Sequence, residues 1–84
     1  MYGYLLKNKN GEYLKTLDTA NSKIDFTTNV NEARNYAGRP GGGAWDAENE
    51  FQFIKYYFGK EYGDKVNTLK CVYEEWDNPP LVLI

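Results

Sequence analysis

Histidine is absent from the 84 residues, cysteine and methionine occur once each, and arginine occurs only at positions 34 and 39. Each scarcity excludes something. Without histidine and with one cysteine, a single chain can build neither a His/Cys zinc site nor a Ser–His or Cys–His nucleophile pair. The lone Cys71 cannot close an internal disulfide, which points to a reducing, cytoplasmic setting, and its simplest role is that of a small core residue. No apolar run nears the ~18 residues of a membrane span, and Met1-Tyr2-Gly3-Tyr4 lacks the basic start and apolar centre of a signal peptide. The expectation is a chain that stays in the cytoplasm of the cell that makes it. Length is also in short supply. A chain of this size buries only about 60% of the surface its unfolded form exposes, so one domain with a thin core is expected, and large enzyme frameworks do not fit.

Aromatic residues, by contrast, are abundant: eight Tyr, four Phe and two Trp. They either fill a thin core with the largest side chains available or line a surface for a ligand or partner. Charge is uneven. Residues 1–45 carry six cations against four acids, whereas residues 46–84 carry four against eight, for a net charge of −2. That balance argues against general binding to a nucleic-acid backbone, which needs a basic stripe. The acidic half reads as a solvated face or a weak mimic of DNA.

Along the chain, Tyr4–Lys7 and Glu12–Leu17 flank Asn8-Lys9-Asn10-Gly11. A two-residue Asn10-Gly11 turn would mix core and solvent faces. A type I turn from Asn8 with a left-handed Gly11 gives a three-residue loop that pairs Leu6 with Leu14 and Lys7 with Tyr13, and sorts the faces. Ile24-Asp25-Phe26-Thr27 alternates as a third strand. Asn29 followed by Glu32 predicts a short capped helix bearing Val30 and Ala33 and ending at Gly38, with Pro40 beyond. A second helix is predicted from Asp46, with Ala47, Phe51, Ile54 and Phe58 at helical spacing and Phe53 and Tyr57 widening the stripe; Gly59 or Gly63 ends it. Residues 66–76 read as the longest strand, with Leu69, Cys71 and Tyr73 on one face, halted by Pro79-Pro80. The predicted fold is α+β, in the order β-β-β-α-α-β: a small, mainly antiparallel sheet with two helices on one face, over residues 1–78. Its core should hold Leu6, Leu14, Phe26, Phe51, Ile54, Phe58, Leu69, Cys71 and Tyr73. An apolar tail, residues 79–84, follows. Leu81, Val82, Leu83 and Ile84 are an association hazard in water, and they predict a homo-oligomer in which the tail packs on a neighbouring copy.

The stretch around Arg39-Pro40-Gly41-Gly42-Gly43-Ala44-Trp45 offers the chemistry of an anion site. Arg34 and Arg39 could recognise phosphate or carboxylate, the amides of Gly41, Gly42 and Gly43 could approach it closely, and Tyr36 and Trp45 could stack on a base or sugar. Against this, Asp46, Glu48 and Glu50 crowd the same helix start, no Gly-Lys-Ser/Thr phosphate loop is present, and a glycine loop can be an inert connection or a partner-binding loop. Paired carboxylates do not suggest catalysis: Glu74 and Glu75 point to opposite strand faces, and Asp46 and Glu50 lie where a helix dipole favours acids anyway. We expect no catalytic residue, no metal and no cofactor.

The run Tyr4-Leu5-Leu6-Lys7-Asn8-Lys9-Asn10-Gly11-Glu12-Tyr13-Leu14, followed by Phe26-Thr27-Thr28-Asn29-Val30-Asn31-Glu32-Ala33, resembles small accessory proteins of phages that infect Gram-positive bacteria. The resemblance covers roughly the first 37 residues. It implies a stand-alone binder made during infection and directed at host machinery or host defence, and it brings no catalytic residues. Two functions then compete with a structural or assembly role. The paired arginines and glycine loop favour sequestration of a small anionic, nucleotide-derived signal. The acidic C-terminal half and the tyrosines favour a protein–protein inhibitor of a host defence nuclease or effector, of a size with anti-CRISPR proteins. Sequestration is the leading expectation.

Overall fold

A computed structural model describes residues 1–38 and 42–77. Its elements are β1 (Tyr2–Lys7), β2 (Tyr13–Asp18), β3 (Lys23–Thr27), α1 (Gly43–Tyr62), α2 (Asp64–Asn67) and β4 (Lys70–Glu75). The strands form one antiparallel sheet in the order β3-β2-β1-β4. The α+β class, the antiparallel sheet and the three strands before the long helix with one after it are those the sequence predicts; of the two predicted helices only the second forms, and α2 takes the place of the other in the count. The predicted tail, residues 79–84, lies outside the described residues.

The first turn forms as expected. The Gly11 N–H donates to the Asn8 carbonyl at 3.1 Å, the Asn8 N–H donates to the Glu12 carbonyl at 2.9 Å, and Gly11 has φ 79°. A Cβ is disfavoured at that φ, which is why glycine stands there. Lys7 pairs with Tyr13, but the ladder between β1 and β2 does not extend to Leu6 and Leu14. The segment 33–37, outside any helix or strand, enters instead: the Arg34 N–H donates to the Leu14 carbonyl at 2.9 Å and the Tyr36 N–H to the Tyr4 carbonyl at 3.0 Å.

That segment includes most of the helix predicted from Asn29 to Gly38. Here the structure differs, with a single 3-10 turn at Val30–Glu32. The reason lies in the asparagines. Asn29 Oδ1 accepts from the Asn31 N–H at 3.0 Å, and Asn35 Oδ1 accepts from the Ala37 N–H at 2.8 Å, so the side chains offer the backbone local partners that compete with a helix. The strands supply the remainder. The predicted second helix is longer than expected. It begins at Gly43, stops at Gly63 (φ 58°), and is followed by the short α2, which takes Val66 out of the last strand and into the core.

Leu6, Leu14, Ile24, Tyr36, Ala47, Ile54, Phe58, Val66 and Leu69 form the core between the helices and one face of the sheet. Phe26, Phe51 and Cys71 are half-buried against it. Leu17 reaches this face as well as Leu14 because a bulge between Leu14 and Thr16 resets the alternation of β2. Tyr73 departs from expectation: it is 51% exposed, its ring 5.1 Å from that of Tyr4 and 6.1 Å from that of Tyr2. Asn8 locks the hairpin turn to α2. It is buried, accepts from the Asn10 and Glu12 N–H groups, and donates to the Lys65 carbonyl at 3.1 Å.

Candidate functional site

The residues predicted to bind an anion are placed in three different settings. Arg34 is turned onto Glu50 of α1, with Nε 2.6 Å from Oε1 and a guanidinium nitrogen 3.4 Å from Oε2. Burial works against the Arg34 cation, and the hydrogen bond and charge of Glu50 outweigh it, so its pKa is raised. Tyr36 is fully buried and donates its hydroxyl to the same Glu50 oxygen at 2.6 Å, with the Arg34 guanidinium 5.6 Å from its ring centre. Burial first, then the Glu50 carboxylate, pushes the Tyr36 hydroxyl well above its ordinary pKa. The ring is part of the core.

Gly42 caps α1 without a side-chain hydrogen bond and is exposed, with φ 86°. Gly43 is buried because nothing larger fits: a Cβ there would lie 2.7 Å from the Tyr36 carbonyl oxygen and from the Tyr4 ring. Trp45 is 65% exposed. Arg39 and Gly41 lie outside the described residues, as do Leu81, Val82, Leu83 and Ile84.

A different surface comes forward on α1. Tyr56 is 82% exposed, Tyr57 63% and Phe53 39%. The ring centres of Phe53 and Tyr57 are 4.5 Å apart, and those of Tyr56 and Tyr57 are 4.9 Å apart. The three rings thus make one continuous aromatic ridge. Beside it, between α1 and the turn joining β2 to β3, runs an open groove of about 470 Å³ lined by Thr19, Ser22, Phe53, Tyr57, Phe58 and Glu61. Phe53, Tyr57 and Glu61 recur every four residues and so share a helix flank. Phe58 is almost fully buried.

The facing turn is held in shape. Asp18 accepts from the Asn21 backbone at 3.2 Å and from its side-chain amide at 2.7 Å, which keeps the Asp18 pKa below its ordinary value. Ser22 closes the turn with φ 51°, the one described non-glycine residue in the left-handed region.

Sequence reasoning assigned Phe53 and Tyr57 to the core stripe and did not single out Tyr56, Glu61, Thr19 or Ser22. One signal was available. Apolar or aromatic residues at 51, 53, 54, 56, 57 and 58 surround the helix, and one sheet can cover only one side of it.

No group of acids and cysteine that could hold a metal ion occurs among the described residues. No helix among them is long and apolar enough to cross a membrane. Cys71 is half-buried, and burial, then the charge of Glu48, raises its thiol pKa, the opposite of an activated nucleophile. Compared with protein-family models, curated proteins and solved structures, the chain matches none of them.

Proposed function

We propose that the chain is a non-catalytic binding module that engages a protein partner through the aromatic ridge of α1 and the groove beside it. The observation that carries this reading is the ridge itself. Three contiguous rings stand in water on a regular helix, and their exposed area gains nothing for the fold. Tyrosine is a favoured anchor for such contacts, because it offers large apolar area and a polar tip at low entropic cost. The resemblance of the first 37 residues to phage accessory proteins makes a host defence protein the partner to try first.

Sequestration of a small nucleotide-derived anion is the second reading. It is favoured by the exposed Gly42 and by a start of α1 with no side-chain cap from that residue. It is weakened by the commitment of Arg34 to Glu50 and by Asp46 in the first turn.

One experiment separates the two. Tagged protein and the double variant Tyr56→Ser/Tyr57→Ser are purified from host cells, and any retained protein is purified and recombined with each. Calorimetry against cyclic and linear nucleotides runs in parallel. The expected result is a stoichiometric protein partner that binds the unmutated chain, is lost with the double variant, and is accompanied by no nucleotide heat. A partner bound equally well by the double variant, or saturable nucleotide binding with no partner, overturns the reading. Light scattering of the full chain tests the homo-oligomer expected from residues 81–84.

A further inference from the structure

We infer that the groove between α1 and the β2–β3 turn is a receptor for an arginine side chain carried by a basic segment of the protein partner. This rests on the protein-binding reading above and adds the chemistry of the contact.

Three observations support it. Among its described lining residues the groove has apolar aromatic walls and one carboxylate: Phe53 and Tyr57 flank it, Phe58 is almost fully buried at it, and Glu61 stands on the same helix flank. Aromatic faces attract a cation, and a carboxylate matches the planar fork of a guanidinium. Thr19 and Ser22 line the opposite side, and hydroxyls of this type can accept from a guanidinium. An anionic ligand would meet Glu61, and a neutral apolar one would leave it unused.

Glu61 is also out of place for the fold. It lies in the last turn of α1, where the helix dipole disfavours an acid. It makes no ion pair among the described residues, as is also true of Asp18, Asp25, Asp46, Glu48, Glu75 and Asp77; what sets Glu61 apart is its place in the last helical turn, on the wall of a groove. Lys60 is its neighbour in sequence but does not line the groove. A residue that breaks a local rule with no structural compensation is a mark of function.

Finally, the molecule already contains a version of this contact with the cation in place. Arg34 lies over the Tyr36 ring and pairs with Glu50, one ring and one carboxylate around one guanidinium. The groove presents rings and a carboxylate, with no guanidinium among its described lining residues. The left-handed Ser22, held by the Asp18–Asn21 contacts, keeps the facing wall in place before any ligand arrives.

The test is an NMR titration of the isotope-labelled protein with N-acetyl-arginine methylamide, its neutral isostere N-acetyl-citrulline methylamide, and the lysine equivalent. Expected are saturable shifts for the arginine probe confined to residues 19–22 and 53–61, with affinity in the millimolar range. The citrulline probe should give none and the lysine probe weaker ones. Glu61→Gln, whose fold is checked by its unchanged spectrum elsewhere, should weaken the arginine probe roughly tenfold. No saturable shift at tens of millimolar, equal shifts with citrulline or lysine, or an unaltered Glu61→Gln response each overturns the inference. The titration uses no protein partner. It can therefore fail while the Tyr56→Ser/Tyr57→Ser result still supports protein binding, and the reverse outcome is equally visible.

Discussion

Two places along α1 set a carboxylate beside aromatic rings, and they have opposite fates. At Glu50 the chain supplies its own cation: Arg34 docks at 2.6 Å, the Tyr36 hydroxyl joins it, and the whole set is drawn into the protein. At Glu61, three turns later, the rings of Phe53 and Tyr57 stay in water and no cation is among the described residues that line the groove. The difference comes from the segment 33–37. Its hydrogen bonds to Leu14 and Tyr4 carry Arg34 and Tyr36 to the Glu50 end, and among the described residues the Glu61 end faces the β2–β3 turn across a groove. One carboxylate therefore serves stability and the other is left available to a ligand. Stability measurements can break that contrast.

The largest effect is expected at Glu50. Glu50→Ala leaves the Arg34 guanidinium and the Tyr36 hydroxyl without their shared acceptor in a mostly buried site, and should cost about 3 kcal/mol, read as a lower urea midpoint. A change below about 0.5 kcal/mol would mean that Glu50 is as dispensable as a surface acid, and the contrast with Glu61 would vanish.

Tyr36→Phe keeps the ring and removes the hydroxyl. The loss of one hydrogen bond to a charged acceptor should cost about 1.5 kcal/mol. The same residue makes stability fall in alkali. Its hydroxyl has a raised pKa in the fold and an ordinary value of 10.0 when unfolded, so above about pH 10 the unfolded chain releases a proton that the native chain keeps. The contribution is present in full below that pH and is lost as pH rises toward the folded value, at about 1.4 kcal/mol per pH unit for one group. Tyr13, whose pKa burial also raises, adds to the slope. Denaturation of Tyr36→Phe between pH 9.5 and pH 11 should show a slope shallower by about one proton; an unchanged slope would place the Tyr36 titration outside the folding equilibrium.

The strands and the long helix were legible in the sequence because they rest on strong local signals. Asn8 to Gly11 dictates a turn, the Ala47, Phe51, Ile54 and Phe58 spacing dictates a helix, and Gly63 stops it. The segment 29–38 was less so: its capping pattern favours a helix, but Asn29 and Asn35 bond to nearby backbone, and carbonyls at Leu14 and Tyr4, distant in sequence, take the amides of Arg34 and Tyr36. The candidate site was hardest to read. Arg34 and Tyr36 have the residue types of a ligand site, and only the tertiary fold shows that their partner is Glu50. Phe53 and Tyr57 have the spacing of a core stripe, and only the position of the sheet shows which side of the helix it leaves bare. Glu61 looks like any surface acid until the fold sets it on the wall of a groove beside Phe53 and Tyr57.

The smallest effect is expected at Glu61, and its sign matters more than its size. Removing a charge generally costs stability when that charge serves the fold, as at Glu50. Glu61 lies at the negative end of the α1 dipole with no ion pair among the described residues, so Glu61→Gln removes an unfavourable interaction and should raise stability by about 0.3 kcal/mol at low ionic strength. The gain should shrink with added salt, because the interaction is exposed and screened. Paired urea melts of the two proteins at low and high salt measure both. A loss of more than about 0.5 kcal/mol would show that the Glu61 carboxylate holds the fold together, and the two carboxylates of α1 would then be alike.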